Sequence, residues 1–216
     1  MNKPILTIES LQYEANIFSQ QESLHKEPSI YGTTDGKAIG TYLEHKFQKY
    51  LHTKYNYLEG SSAKGIDFPE LMVDMKVTSI KQPQSSCPFK SASQKIFGLG
   101  YSILVFVYDK TDDDFTGTLD IKHTIFIEAN RTADFQMTTG LNQIIQNNGN
   151  VDDIIAFFAD RFLPIDDITA YQIAEQILHQ PLNIGYLTIS NALQWRLQYK
   201  RVIQKAGNVI GINKVF

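Results

Sequence analysis

The sequence predicts an α/β fold built on a mixed central sheet with helices on its flanks. Three stretches carry that expectation. Residues 71–78 alternate strictly: Leu71, Val73, Met75 and Val77 point one way, and Met72, Asp74, Lys76 and Thr78 the other, as in a strand with one face in the core. Residues 101–108 (YSILVFVY) form an almost unbroken apolar run, the mark of a strand covered on both faces. Between residues 37 and 52, Ile39, Leu43, Phe47 and Leu51 recur at the spacing of one helix face.

Taken in order, residues 1–36 hold enough apolar positions for a short helix and a loop. Asp35-Gly36 starts the helix over 37–52, and residues 60–65 (GSSAKG) are a loop. A polar loop, KQPQSSCPFKS, follows the alternating strand and leads into a short helix between Ser91 and Gly98. After the apolar strand come an acidic turn at 111–117, a strand over 122–129, and a helix within 134–147 that Asn147-Asn148-Gly149-Asn150 ends. Beyond residue 150 the pattern changes. Residues 151–162, 169–178 and 188–206 read as helices, and 207–216 as a terminal hairpin or strand pair. Three helices and a β element follow the order of a winged helix-turn-helix. The expected organisation is a core domain over 1–150 and a small winged-helix-like module over 151–216, serving DNA binding or dimerisation.

With 216 residues and 43% hydrophobic content, the chain can bury one sizeable core. The only cysteine, Cys87, excludes an internal disulfide and suits a reducing cytoplasm. The first residues lack an apolar run fit for a signal peptide or membrane span, so a cytoplasmic chain without a membrane partner is expected. No Cys/His cluster suggests structural zinc. GLGYS, at Gly98, lacks the lysine and helix of a phosphate loop, so no nucleotide cofactor is expected. The net charge of −3 conceals a gradient: 152–175 is acidic, whereas 176–216 holds no Asp or Glu and carries Arg196, Lys200, Arg201, Lys205 and Lys214. A basic end of this kind is the form a phosphate-binding surface takes.

The chemically informative string is Gly65-Ile66-Asp67-Phe68-Pro69-Glu70-Leu71-Met72-Val73-Asp74-Met75-Lys76. Asp74 and Lys76 project from one strand face while Val73, Met75 and Val77 anchor the other. Charges set into an apolar protein need a reason, because an unpaired buried charge costs several kcal/mol or more. Two carboxylates around a divalent cation supply one. Magnesium takes one or two carboxylates, water and substrate phosphate, and a neighbouring lysine can orient or deprotonate the attacking water or stabilise the transition state. The bland alternative is a surface salt bridge on a half-exposed strand.

This string resembles the PD-(D/E)XK nuclease superfamily, in which an acid precedes a strand bearing acid-x-Lys, and a type II restriction endonuclease in particular. The resemblance covers 36–108 and implies a restriction-endonuclease-like mixed sheet. It implies Asp67 and Asp74 as ligands of Mg2+, Lys76 as the catalytic lysine, and Glu44, from the preceding helix, as a further catalytic and metal-binding acid. Gln94 or Lys95, from the next helix, would line the site. Ile66 stands where the motif name has proline, and Asp74 where glutamate is commoner. Double-stranded DNA is the implied substrate and a homodimer the implied assembly. The same site would serve a nuclease of transposition or repair.

The basic end adds a second signal. As a helix over 188–206, Asn191, Gln194, Gln198, Arg201 and Lys205 would share an outward face able to reach base edges. Arg196 and Lys200 would form a stripe for phosphates, and Ile189, Ala192, Leu193 and Leu197 the docking stripe. Trp195 and Tyr199 read as packing residues. Without the nuclease core, such a module would indicate a non-catalytic DNA-binding regulator.

Overall fold

The computed structural model describes residues 3–60, 65–88, 90–180, 182–190 and 195–216. Helix α1 (Ile8–Glu22) begins at a capping box between Thr7 and Ser10, and α2 (Gly36–Lys54) at Asp35, which accepts the Lys37 N–H. The main sheet contains β1 (Lys26–Glu27), β2 (Val73–Ser79), β4 (Ser102–Asp113), β5 (Thr116–Ile127) and β8 (Ile212–Lys214). Its order is β1-β5-β4-β2, with β8 also on β5; β2 and β4 run parallel and the other pairs antiparallel. Strand β2 therefore forms one edge of this mixed sheet. A second sheet joins β3 (Gln84–Cys87), β7 (Trp195–Gln198) and β6 (Thr188–Ile189) in the order β3-β7-β6. The remaining helices are α3 (Gln94–Phe97), α4 (Phe135–Gln146), α5 (Val151–Asp160), α6 (Asp167–His179) and α7 (Lys200–Lys205). This is the restriction-endonuclease-like α/β class that the sequence predicts.

The apolar run has the environment that its composition requires. Leu104, Phe106 and Tyr108 enter the core beneath α1 and α2, while Ile103, Val105 and Val107 enter a second core beneath the small sheet. The helical repeat also holds: Ile39, Leu43, Phe47 and Leu51 are all buried. A third cluster gathers Ile96, Met137, Leu141, Ile154, Phe158 and Ile173 from α3 to α6. The acidic turn is narrower than expected. Strands β4 and β5 continue to Asp113 and Thr116 and close on Asp114 and Phe115, both left-handed (φ 46° and 61°), as a two-residue hairpin of right-handed twist requires.

The reading of 188–206 as one helix is overturned. Ile189 lies in β6, residues 195–198 form β7, and only Lys200–Lys205 is helical. Trp195 and Leu197 are buried and Arg196 and Gln198 exposed, a period of two and not of 3.6. Asn191 and Gln194, along with Ala192 and Leu193, lie outside the described residues. The expected wing is likewise replaced: β8 pairs with β5, and Val209 bridges Ile212 in the turn before it. Residues beyond 150 thus contribute helices to the third cluster and strands to both sheets.

Helices α1 and α2 are joined by two polar clasps. Glu14 accepts hydrogen bonds from Lys54 (2.6 Å), Tyr50 (2.6 Å) and Tyr55 (3.0 Å). Glu22 pairs with Lys46 (2.7 Å) and accepts from Tyr42 (3.0 Å). Both glutamates are buried, so each needs its partners. Glu14→Ala is expected to lower the unfolding free energy by about 2 kcal/mol. That is less than a fully buried pair would cost, because the Lys54 amine is partly in water. Urea denaturation checks it, and a Glu14→Ala/Lys54→Ala double variant is expected to lose less than the sum of the singles.

Candidate active site

Asp67 and Asp74 are seven positions apart in sequence, and a tight reversal brings them together. Phe68 and Val73 exchange backbone hydrogen bonds of 2.9 and 3.2 Å across a single 3-10 turn, Pro69–Leu71. Met72 closes that turn in the left-handed region, at φ 51°. The reversal sets Asp67 alongside β2, where its carboxylate accepts the Met75 N–H at 2.7 Å. Gly60 fixes the other side of the loop: its N–H donates to the Asp67 carbonyl, and a Cβ there would fall 1.7 Å from the Ile66 oxygen.

Asp74 is only 3% exposed and pairs with the Lys76 ammonium at 2.7 Å. A surface salt bridge is thereby excluded. Burial raises the Asp74 carboxyl above the usual range; Lys76 opposes that shift, and the Asp67 carboxylate, within hydrogen-bonding reach, adds to it. Burial also raises Glu44, to about 7, with Asp67 and Asp74 adding repulsion and Lys76 opposing it. For Lys76, burial acts to lower its pKa, but Asp74, Asp67 and Glu44 outweigh it and the net shift is upward. The four predicted side chains therefore form one electrostatic unit.

Among the described residues, no three His, Cys, Asp or Glu side chains make a metal-holding group by themselves. The donor set is open: two adjoining aspartates, with Glu44 coupled to them through charge. Two carboxylates, with water and phosphate oxygens completing the shell, suit magnesium, so these residues fit that ion.

Two members of the unit, Glu44 and Lys76, line a cleft of about 760 Å³, whereas Asp67 and Asp74 are not among its lining residues. Its walls are the start of α2, including Lys37, Gly40 and Glu44; the outer part of β2, including Lys76 and Thr78; and Gln84, Ser86 and Arg196 from the small sheet. Thr78 holds these parts in register: its hydroxyl accepts the Gln84 N–H at 2.9 Å and donates to the Gln84 carbonyl at 3.0 Å. Tyr199 ties β7 to β3 by hydrogen bonds from its N–H to the Pro83 carbonyl (2.9 Å) and between its hydroxyl and Ser85 (2.6 Å).

The other candidates are dispersed. Gln94 donates to the Leu99 carbonyl at 3.1 Å and does not line this cleft. Lys95 is buried in a separate cleft with Asp134 and Arg161, where burial lowers its pKa. Arg201, expected on an outward recognition face, turns inward: it donates to Thr188 at 2.9 Å and stacks over Phe135, 4.0 Å from the ring centre. Lys200 and Lys205 are exposed on α7. Arg196 and Gln198 reach the surface from a strand. Trp195 and Tyr199 are buried packing residues, as expected. Sequence reading missed β3, because Pro83 and two serines look like a loop. Its only signal is the weak alternation of Gln84 and Ser86 with Ser85 and Cys87.

A family model described as Type II restriction enzyme NspV matches residues 5–214. The Type II restriction enzyme NspV of Nostoc sp. (strain ATCC 29411 / PCC 7524) is 63% identical over 214 residues, covering 98% of this chain and 97% of that protein. No solved structure matches. No helix among the described residues is long and apolar enough to cross a membrane. Matched along nearly its whole length, the chain belongs to the NspV family of type II restriction enzymes.

Proposed function

We propose that this chain is a magnesium-dependent endonuclease that hydrolyses DNA phosphodiester bonds at a short duplex site, as the name of its Nostoc relative suggests. The supporting observation is the buried Asp74 beside the partly buried Asp67, with the Lys76 ammonium 2.7 Å from Asp74 and lining an open polar cleft. Asp67 and Asp74 would hold the ion, with Glu44 ligating it directly or through water. Bound there, magnesium supplies charge neutralisation and an acidified water. The chain's own residues do the rest. The Asp67 carboxylate is fixed by the Met75 N–H, so its donor atoms are oriented before substrate arrives. The Lys76 ammonium is a hydrogen-bond donor beside the carboxylates, placed to hold a phosphate oxygen as negative charge builds on it. Val73 and Met75, packed beneath α1 and α2, keep both side chains on one rigid strand.

One site of this kind cuts one strand. Cutting both strands of a symmetric sequence takes two copies, so the working unit is a homodimer in this reading.

Purified protein is expected to convert plasmid DNA to discrete fragments with magnesium and to leave it intact with chelator. Asp74→Asn and Lys76→Ala are each expected to lower the cleavage rate by about 100- to 1000-fold, while duplex binding with calcium in place of magnesium is retained. Wild-type cutting by either variant would overturn the site assignment. Calorimetric titration supplies a readout independent of cutting: magnesium binding is expected for the wild type and lost in Asp67→Asn and Asp74→Asn.

A further inference from the structure

We propose that the outward face of the β3–β7 ribbon reads base edges in the major groove, with Arg196 as its principal specificity residue. The inference rests on the nuclease reading and assigns its sequence recognition to a strand pair instead of a helix. The antiparallel register sets Ser86 opposite Arg196 and Gln84 opposite Gln198. The alternate positions, Cys87, Trp195 and Leu197, are buried against the main sheet, so these four side chains share the opposite face. Arg196 and Gln198 are exposed, and among the described residues the Arg196 guanidinium has no ion-pair partner.

The occupant follows from position and chemistry. Arg196, Ser86 and Gln84 line the same cleft as Glu44 and Lys76, so a duplex whose phosphate is held at Lys76 would also meet the ribbon. Strands of a small sheet can enter the major groove, where arginine pairs with guanine O6 and N7, glutamine with adenine, and serine with either; here β3 and β7 supply the polar face of a three-stranded sheet. The ribbon is also rigid. Tyr199 pins β7 to Ser85 and Pro83, and buried Trp195 roots its start, so the polar face keeps its geometry without DNA.

The test selects short duplexes of random sequence in calcium, without cleavage. Wild-type protein is expected to enrich one motif. Arg196→Ala is expected to lose preference at one base pair in each half of that motif and to bind the selected duplex roughly 10- to 100-fold more weakly. Its binding to unselected DNA should change little. Arg196→Lys should not restore the preference, because a point charge cannot replace the guanidinium fork. Gln198→Ala should relax a neighbouring position. Restoration by lysine, with a salt dependence reduced about equally on all sequences in the alanine variant, would mark a phosphate contact and overturn base reading. An unchanged motif in Arg196→Ala would overturn the assignment altogether, as would the absence of any enriched motif in the wild type. Motif selection without magnesium-dependent cutting would leave this inference standing and overturn the nuclease reading instead.

Discussion

The constraint on which the site depends is the burial of Asp74. A carboxylate at 3% exposure is costly unless something compensates it, and its immediate compensation is the Lys76 ammonium two residues along the same strand. That pair would be self-sufficient without Asp67. With a second carboxylate beside Asp74 and Glu44 repelled by both, the charged forms of Asp74 and Glu44 are disfavoured, and one ammonium does not offset this: both carboxyls are raised in pKa and would take up a proton or a cation. A fold that builds such a surplus of acids beside an open cleft has placed a demand for positive charge there. Under the proposed reading a divalent cation would meet that demand, and the phosphate of a substrate would complete its shell.

The surplus is tolerable because the scaffold beneath it is rigid and dry. Strand β2 is an edge strand, yet it is paired with β4 over its whole length and covered on the inner side by α2. Strand β4, buried between two cores, fixes β2 from the other edge. The C-terminal part of the chain contributes to the same rigidity: Trp195, Leu197 and Ile212 complete the second core, on the face that carries Asp74. The end of the chain is therefore part of what holds the site.

The sequence revealed those parts whose spacing matched a regular element. The four-residue recurrence in α2, the alternation in β2 and the apolar run of β4 are each regular, and each element exists in the structure, although β2 begins at Val73 because Leu71 and Met72 belong to the preceding turn, and β4 continues to Asp113. The reversal at 68–73 was legible only as a short spacer, because its closure depends on Met72 adopting a left-handed conformation that no composition rule predicts. Residues 188–206 failed for a different reason. Their polar residues fit a helical wheel as well as a strand, and a four-residue strand is too short for its alternation to outweigh that coincidence. What decides between the two is tertiary: Trp195 and Leu197 have a core to enter only if β3 is there to pair with β7. Strand β3 was itself hidden behind Pro83 and serines. The error at the C-terminus and the omission at 84–87 are thus one error, since each strand exists because of the other.

That mutual dependence bears on how recognition and cutting are linked. Strand β3 follows β2 through a turn clasped by the Thr78 hydroxyl, so the ribbon is continuous with the strand carrying Asp74 and Lys76. A displacement of the ribbon would be passed to β2 through Thr78, two residues from Lys76 and on the same face. Under the proposed reading, a duplex that engages the ribbon poorly would strain this clasp as well as lose contacts. Discrimination between sequences would then appear in the rate of the chemical step as well as in binding, because the groups that must be positioned within tenths of an ångström share a strand with the groups that read the bases.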